Sequence, residues 1–219
     1  MSTGNWPRIG VAALGAAAVA LATPLPAWGA GDVTDTATET FEVRLTPLNG
    51  SGVHGTGTLI LDESGHEPVL TVRLDVNNVI PGQLHPQHIH GFTADGPVEG
   101  KGPQDDATCP TGGSRNQIEG LPEEAQRPDR SLALEEGLDE YGPVLLPLQP
   151  FPVPEDRDYL FVETYTGDEL DALNLDEVAL TNRHIVIHGG LVDGFDRDGR
   201  PDTYVASLPV ACGEIEMSR

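Results

Sequence analysis

The stretch "TFEVRLTPL", residues 40–48, has the alternation of a β-strand that buries one face. Phe41, Val43 and Leu45 fall on one side of such a strand, whereas Glu42 and Arg44 fall on the other. An apolar period of two, with charges between, is typical of a half-buried strand. This stretch therefore predicts that the chain begins its fold with β structure.

Strand patterns recur along the rest of the chain. The pieces "GTGTLILD" and "VLTVRLDV" flank the turn-like "ESGHEP" and predict a hairpin over residues 55–76. "DELDALNL", residues 168–175, predicts one or two helical turns, and residues 92–142 predict mostly loop. Further strands are predicted at residues 144–148, 159–165, 184–190 and 203–217. Seven or eight strands without a substantial helix predict an all-β fold, an antiparallel sandwich or barrel with long loops.

The first thirty residues have the layout of a secretory signal peptide. A polar start with one cation, Arg8, leads into the apolar run "IGVAALGAAAVALA" at 9–22 and the small residues "PAWGAG" at 26–31. The apolar run is short for a membrane span, so an N-terminal anchor is the weaker interpretation. We predict an exported protein with a signal peptide at 1–30 and a single β domain at 31–219.

Acidic residues dominate the charge. The chain has 12 basic and 35 acidic side chains, a formal charge of −23. Without residues 1–30, which hold one arginine and no acid, the charge is −24. Such a chain repels nucleic acid and anionic membranes, so we expect neither as a partner and expect a solubilising surface instead.

Two cysteines are present, Cys109 and Cys212. An even pair in an exported protein most simply forms a disulfide. Two free thiols acting as metal ligands are the weaker alternative, because no Cys-x-x-Cys spacing occurs.

Three of the seven histidines lie in "LHPQHIHG", residues 84–91. In a strand, His88 and His90 point to the same side and can chelate one metal ion. His85 lies an odd number of residues from His88 and is predicted to be a structural support rather than a ligand. His54 and His66 lie in turns or strand edges and are predicted surface residues.

A second histidine pair lies in "HIVIH", residues 184–188. His184, Val186 and His188 share the side of the strand opposite to Ile185 and Ile187. Either His184 or His188, brought next to the first pair, would complete a three-imidazole site. Imidazole suits zinc, copper, iron or nickel, so the donor set alone leaves the metal open.

Several of these stretches resemble the Cu,Zn superoxide dismutases. "GQLHPQHIHGF" resembles that family's histidine strand, "HIVIHGG" its strand with the late copper ligand, and "LPVACGEI" its C-terminal strand with a disulfide cysteine. The resemblance runs in the same order from about residue 40 to 216. It implies a Greek-key β-sandwich, copper on His88, His90 and His188, a bond between Cys109 and Cys212, and dismutation of superoxide to oxygen and hydrogen peroxide. Zinc in the same three-histidine site is the alternative metal.

The chain departs from that family at its zinc site and its guiding cation. Residues 91–183 contain no histidine, so the zinc ligands and the bridging imidazole are missing from the sequence. Pro209 occupies the position of the arginine that guides superoxide, and Arg115 or Arg183 could replace it. Whether the chain is an active enzyme is therefore left open.

Chordin-type (CHRD) domains are a second resemblance, since they too combine an extracellular β-sandwich with a "HIH" strand. That resemblance implies a non-enzymatic binding or structural module. The acidic pieces at 129–137 and 193–202 lack the Asp-x-Asp-x-Asp-Gly spacing, so calcium is not expected. No Gly-x-Ser-x-Gly elbow, phosphate-binding loop or His-Glu-x-x-His motif occurs.

Overall fold

The computed structural model describes residues 38–110, 134–175, 178–192 and 203–219. The predicted signal peptide, the domain boundary at residue 31, Arg115 and the acidic piece at 193–202 lie outside these ranges. The strands are β1 (Thr38–Pro47), β2 (His54–Asp62), β3 (Val69–Asn77), β4 (Gln87–His90), β5 (Val144–Pro147), β6 (Tyr159–Thr166), β7 (His184–Val192) and β8 (Thr203–Met217). The helices are α1 (Leu134–Tyr141) and two 3₁₀ segments, Gly167–Leu173 and Leu180–Asn182.

The eight strands form one antiparallel sheet in the order β5-β4-β7-β8-β1-β2-β3-β6. The hairpin predicted at 55–76 is β2–β3, paired from His54 with Asn77 to Asp62 with Val69. Three connections join strands that are not neighbours in the sheet: β3 to β4, β5 to β6 and β6 to β7. Strand β3 pairs with β6 instead, and β4 pairs with β7. The predicted all-β antiparallel fold is confirmed.

The sheet curls so that its inner face encloses the core. Residues from all eight strands contribute to one apolar cluster, which requires the two halves of the sheet to face each other. Phe41, Val43 and Leu45 are buried in it, whereas Glu42 and Arg44 are exposed, as the alternation of β1 predicted.

Strand β7 is buried on both faces. Ile185 and Ile187 enter the main core, while Val186 packs outward against a smaller cluster with Tyr141 and Cys212. The segment between β4 and β5 supplies this outer layer through Cys109 and α1. The layer covers the side of the sheet on which the histidines lie.

The disulfide predicted between Cys109 and Cys212 is present and joins this outer layer to β8. Backbone hydrogen bonds add to the attachment: the Thr108 N–H donates to Glu140 and the Ala107 N–H to Asn182. The sequence predicted mostly loop over 92–142 and no helix there, but residues 134–141 form a short helix. Its Leu138 packs on the smaller cluster, so tertiary burial stabilises a helix too short to be stable alone.

None of the helices in the described ranges has the length and apolar character needed to span a membrane.

Candidate metal centre

Three histidines converge on the outer face of β4 and β7. One ring nitrogen from each of His88, His90 and His188 lies within 4.8 Å of the others. The ring centroids are 5.5 Å apart for His88 and His90, 5.1 Å for His88 and His188, and 5.8 Å for His90 and His188. These three residues could hold a metal ion.

A bulge in β7 lets His188 join the pair on β4. The β4–β7 ladder places His88 opposite Val186 and His90 opposite His184. His188 lies two positions beyond Val186, where its N–H donates to the Pro86 carbonyl. The β7–β8 register shifts on both sides of His188, and such bulges re-aim a side chain.

Backbone carbonyls fix the orientation of two of the rings. Nδ1 of His90 donates to the Gly142 carbonyl and Nδ1 of His188 to the Ser207 carbonyl, each at 3.0 Å. Each ring then carries its proton on Nδ1 and its lone pair on Nε2, the arrangement that a metal ligand needs. Within the described residues, His88 Nδ1, His90 Nε2 and His188 Nε2 are buried atoms without a hydrogen-bond partner.

Burial keeps these imidazoles neutral. It lowers the pKa of His88 to about 4 and the pKa values of His90 and His188 to about 3. The neighbouring histidines lower the pKa values of His90 and His188 further. At neutral pH all three rings therefore keep a lone pair available to a cation.

His85 is buried beside the cluster but offers no free nitrogen. Its Nδ1 lies 3.0 Å from the His188 carbonyl oxygen and its Nε2 lies 3.0 Å from the Ile80 carbonyl oxygen. These contacts tie the turn before β4 to the strand that carries His188. His54 and His66, by contrast, are exposed.

His184 lies next to the cluster without belonging to it. Its ring stacks on that of His90, with centroids 6.1 Å apart and planes 15° apart. It is fully buried, and neither ring nitrogen has a hydrogen-bond partner within the described residues. Burial, and secondarily the charge of Arg183, lowers its pKa to about 3. The sequence left open which histidine of β7 joins the pair; the structure brings in His188.

Arg183, one of the two arginines considered for guiding an anion, is buried. Only 1% of its surface is exposed. Nη1 donates to the Pro103 carbonyl at 3.2 Å and Nη2 to the Leu173 carbonyl at 3.4 Å. Its two terminal nitrogens are thus engaged by backbone carbonyls rather than presented to solvent. The suggestion that Arg183 could take this role stays a prediction, and its burial counts against it.

Aromatic rings border the cluster. Tyr141, at the end of α1, lies edge-on to His90 with centroids 4.9 Å apart. Phe151 lies edge-on to His88 at 5.3 Å. Neither residue was predicted from the sequence, and neither was Gly142, whose carbonyl orients His90. Gly142 has a positive φ of 72°, and a Cβ there would lie 2.4 Å from the Gly91 carbonyl oxygen, so only glycine fits.

Comparisons of the chain with protein-family models and with curated proteins find no match.

Proposed function

We propose that the protein is an exported copper-binding protein of the Cu,Zn superoxide dismutase type that has lost the zinc half of the site. Its copper ligands would be His88, His90 and His188. The observation that carries this proposal is the convergence of one ring nitrogen from each histidine within 4.8 Å. Each of the three rings also has a buried nitrogen with no hydrogen-bond partner among the described residues. Buried polar atoms normally have partners, and an ion would supply one to all three.

The donor chemistry supports copper, with zinc as the alternative occupant. Both cysteines are in the disulfide and are not available as ligands. Three neutral imidazoles bind Cu(I) and Cu(II) alike, and they also suit zinc. When bound, copper would supply a one-electron couple that oxidises superoxide in one half-reaction and reduces it in the other.

The protein's own groups would orient the ligands and limit access to them. The carbonyls of Gly142 and Ser207 hold the rings of His90 and His188. Only His88 is partly exposed, so a small molecule would approach from its side. The chain offers no histidine between residues 91 and 183 for a bridging imidazole.

A non-enzymatic, CHRD-like binding or structural module is the second candidate. The burial of Arg183 favours it, because a buried cation is less well placed to guide an incoming superoxide anion than an exposed one. A net charge of −23 would slow that anion further. In this candidate the same three histidines would hold zinc or no ion.

Metal content and dismutase activity of the purified protein after copper loading separate the two candidates. We expect one copper per chain in the unchanged protein, and loss of that copper in His88→Ala and His188→Ala. His54→Ala, which removes an exposed histidine, is the matched control and should retain the ion.

Less than one copper per chain, or full retention in His88→Ala and His188→Ala, would contradict the copper proposal. One bound copper with dismutation no faster than in buffer would favour a carrier over an enzyme. Export is tested separately by expressing the full chain with its N-terminal segment and identifying the N-terminus of the released protein.

A further inference from the structure

Two segments beside the metal centre are free of charged side chains. Residues 76–94 and 141–154 contain no Asp, Glu, Lys or Arg, although charged residues make up 21% of the chain. The first segment contains β4 and the second contains β5. Because β4 and β5 are neighbouring strands, the two segments lie side by side in the sheet.

The partly exposed ligand His88 lies in an apolar patch on this surface. Pro147 lies directly opposite His88 on β5, and Val144 lies opposite His90. Residues that face each other across antiparallel strands project from the same face. Val144 is 43% exposed, and the Phe151 ring lies 5.3 Å from that of His88. We name His88, Val144, Pro147 and Phe151 the ligand patch.

Acidic residues flank the uncharged segments. Asp139 precedes the second segment, Glu155 and Asp156 follow it, and Asp95 follows the first; all four are exposed. Asp139 lies five positions before Val144 and Glu155 four positions after Phe151, so these carboxylates lie near the patch. Protein-binding surfaces combine an apolar centre with a polar surround. With a net charge of −23, a second copy of this chain would be repelled, whereas a basic protein would be attracted.

We propose that the ligand patch docks a basic redox protein, which exchanges one electron with the metal through the ring of His88. The electron-transfer part rests on the copper function proposed above, whereas docking does not require the metal. With copper held by the three histidines, the reduced partner would supply one electron and the copper would accept it, with no atom or proton moving. Transient redox complexes of this kind have small interfaces, and a patch of this type suits them.

Cytochrome c is a suitable probe because it is basic and exposes a haem edge within a ring of lysines. Binding of oxidised cytochrome c to the metal-free protein would be measured by NMR titration at low and high ionic strength. The test variant is Val144→Lys. Its matched control is Val162→Lys, which makes the same charge change at a valine that is 52% exposed on β6, the strand at the other end of the sheet order.

We expect Val144→Lys to weaken binding about tenfold or more, because a lysine in the patch opposes the partner's lysines at close range. Val162→Lys should weaken it less than about twofold, and salt should weaken binding to the unchanged protein. Equal effects of the two substitutions, or binding that does not depend on salt, would overturn the docking proposal.

The copper-loaded protein provides the second readout. At equal copper content, the rate of Cu(II) reduction by ferrocytochrome c should fall about tenfold in Val144→Lys and change little in Val162→Lys. Normal copper content with no reduction by ferrocytochrome c overturns the electron exchange and leaves the copper proposal standing. Failure to bind copper overturns the copper proposal and the electron exchange together, while the binding titration still decides whether the patch docks a basic protein.

Discussion

Replacing His184 with leucine should leave the metal-free protein about as stable as the unchanged protein at pH 7 and make it the more stable of the two at pH 5. His184 is fully buried and neither ring nitrogen has a partner within the described residues. An apolar side chain of similar size removes two buried polar atoms at little cost in packing. At pH 7 the change in the free energy of unfolding should therefore lie within about 1 kcal/mol of zero or be stabilising.

The pH dependence follows from the pKa of His184, which burial lowers from 6.5 to about 3. Between these two values the unfolded chain binds a proton that the folded chain does not, so the unchanged protein loses stability as the pH falls from 6.5 toward 3. The loss is about 1.4 kcal/mol per pH unit, or about 2 kcal/mol at pH 5. Leucine does not titrate, so the variant escapes this loss.

The assay is urea unfolding of the metal-free, disulfide-intact protein at pH 7, 6 and 5, in the presence of a chelator. The free energy of unfolding of His184→Leu, relative to that of the unchanged protein, should increase by about 2 kcal/mol between pH 7 and pH 5. His54→Leu controls for the removal of an imidazole as such. The same pH dependence in both variants would contradict this prediction. A loss of several kcal/mol in the free energy of unfolding of His184→Leu at pH 7 would also contradict it, because that loss would mean that the ring nitrogens have partners.

Three further predictions concern the disulfide, the outer layer and the metal. Reducing the bond between Cys109 and Cys212, which are 103 residues apart, should lower the free energy of unfolding by about 4 to 5 kcal/mol; an unchanged urea midpoint would contradict this. Gly142→Ala should destabilise the protein by about 1–3 kcal/mol, because its Cβ would collide with the backbone of Gly91. The control Gly50→Ala, with a similar φ and no atom within 4 Å, should cost less in the same thermal unfolding assay. Free copper at a hundredfold excess over its dissociation constant should raise the free energy of unfolding by about 2.7 kcal/mol, and a melting temperature that does not change would count against a folded-state site.

The strands could be predicted because their pattern is local. The spacing of Phe41, Val43 and Leu45 predicts a buried strand face, and β1 forms at these residues. The same alternation places His88 and His90 on one side of β4 without reference to any other strand. The helix α1 was missed because a helix of eight residues depends on the surface that it packs against.

The third histidine of the candidate site could not be chosen from strand periodicity. His184 and His188 lie on the same side of β7, so alternation treats them alike. The resemblance selected His188, and the reason becomes visible only in the register: β7 bulges at His188, while His184 pairs opposite His90 and stacks on it.

Local pattern and cysteine count were sufficient to predict an all-β chain, a strand with His88 and His90 on one face, and a disulfide. The first two follow from side-chain alternation, and the third follows from the presence of two cysteines. The tertiary structure decided what surrounds the three histidines of the candidate site. In the folded protein Arg183 is buried, and the Phe151 ring contacts that of His88. The carbonyls of Gly142 and Ser207 accept hydrogen bonds from His90 and His188, respectively. These contacts join residues far apart in the chain through strand register and loop packing, which no local pattern encodes.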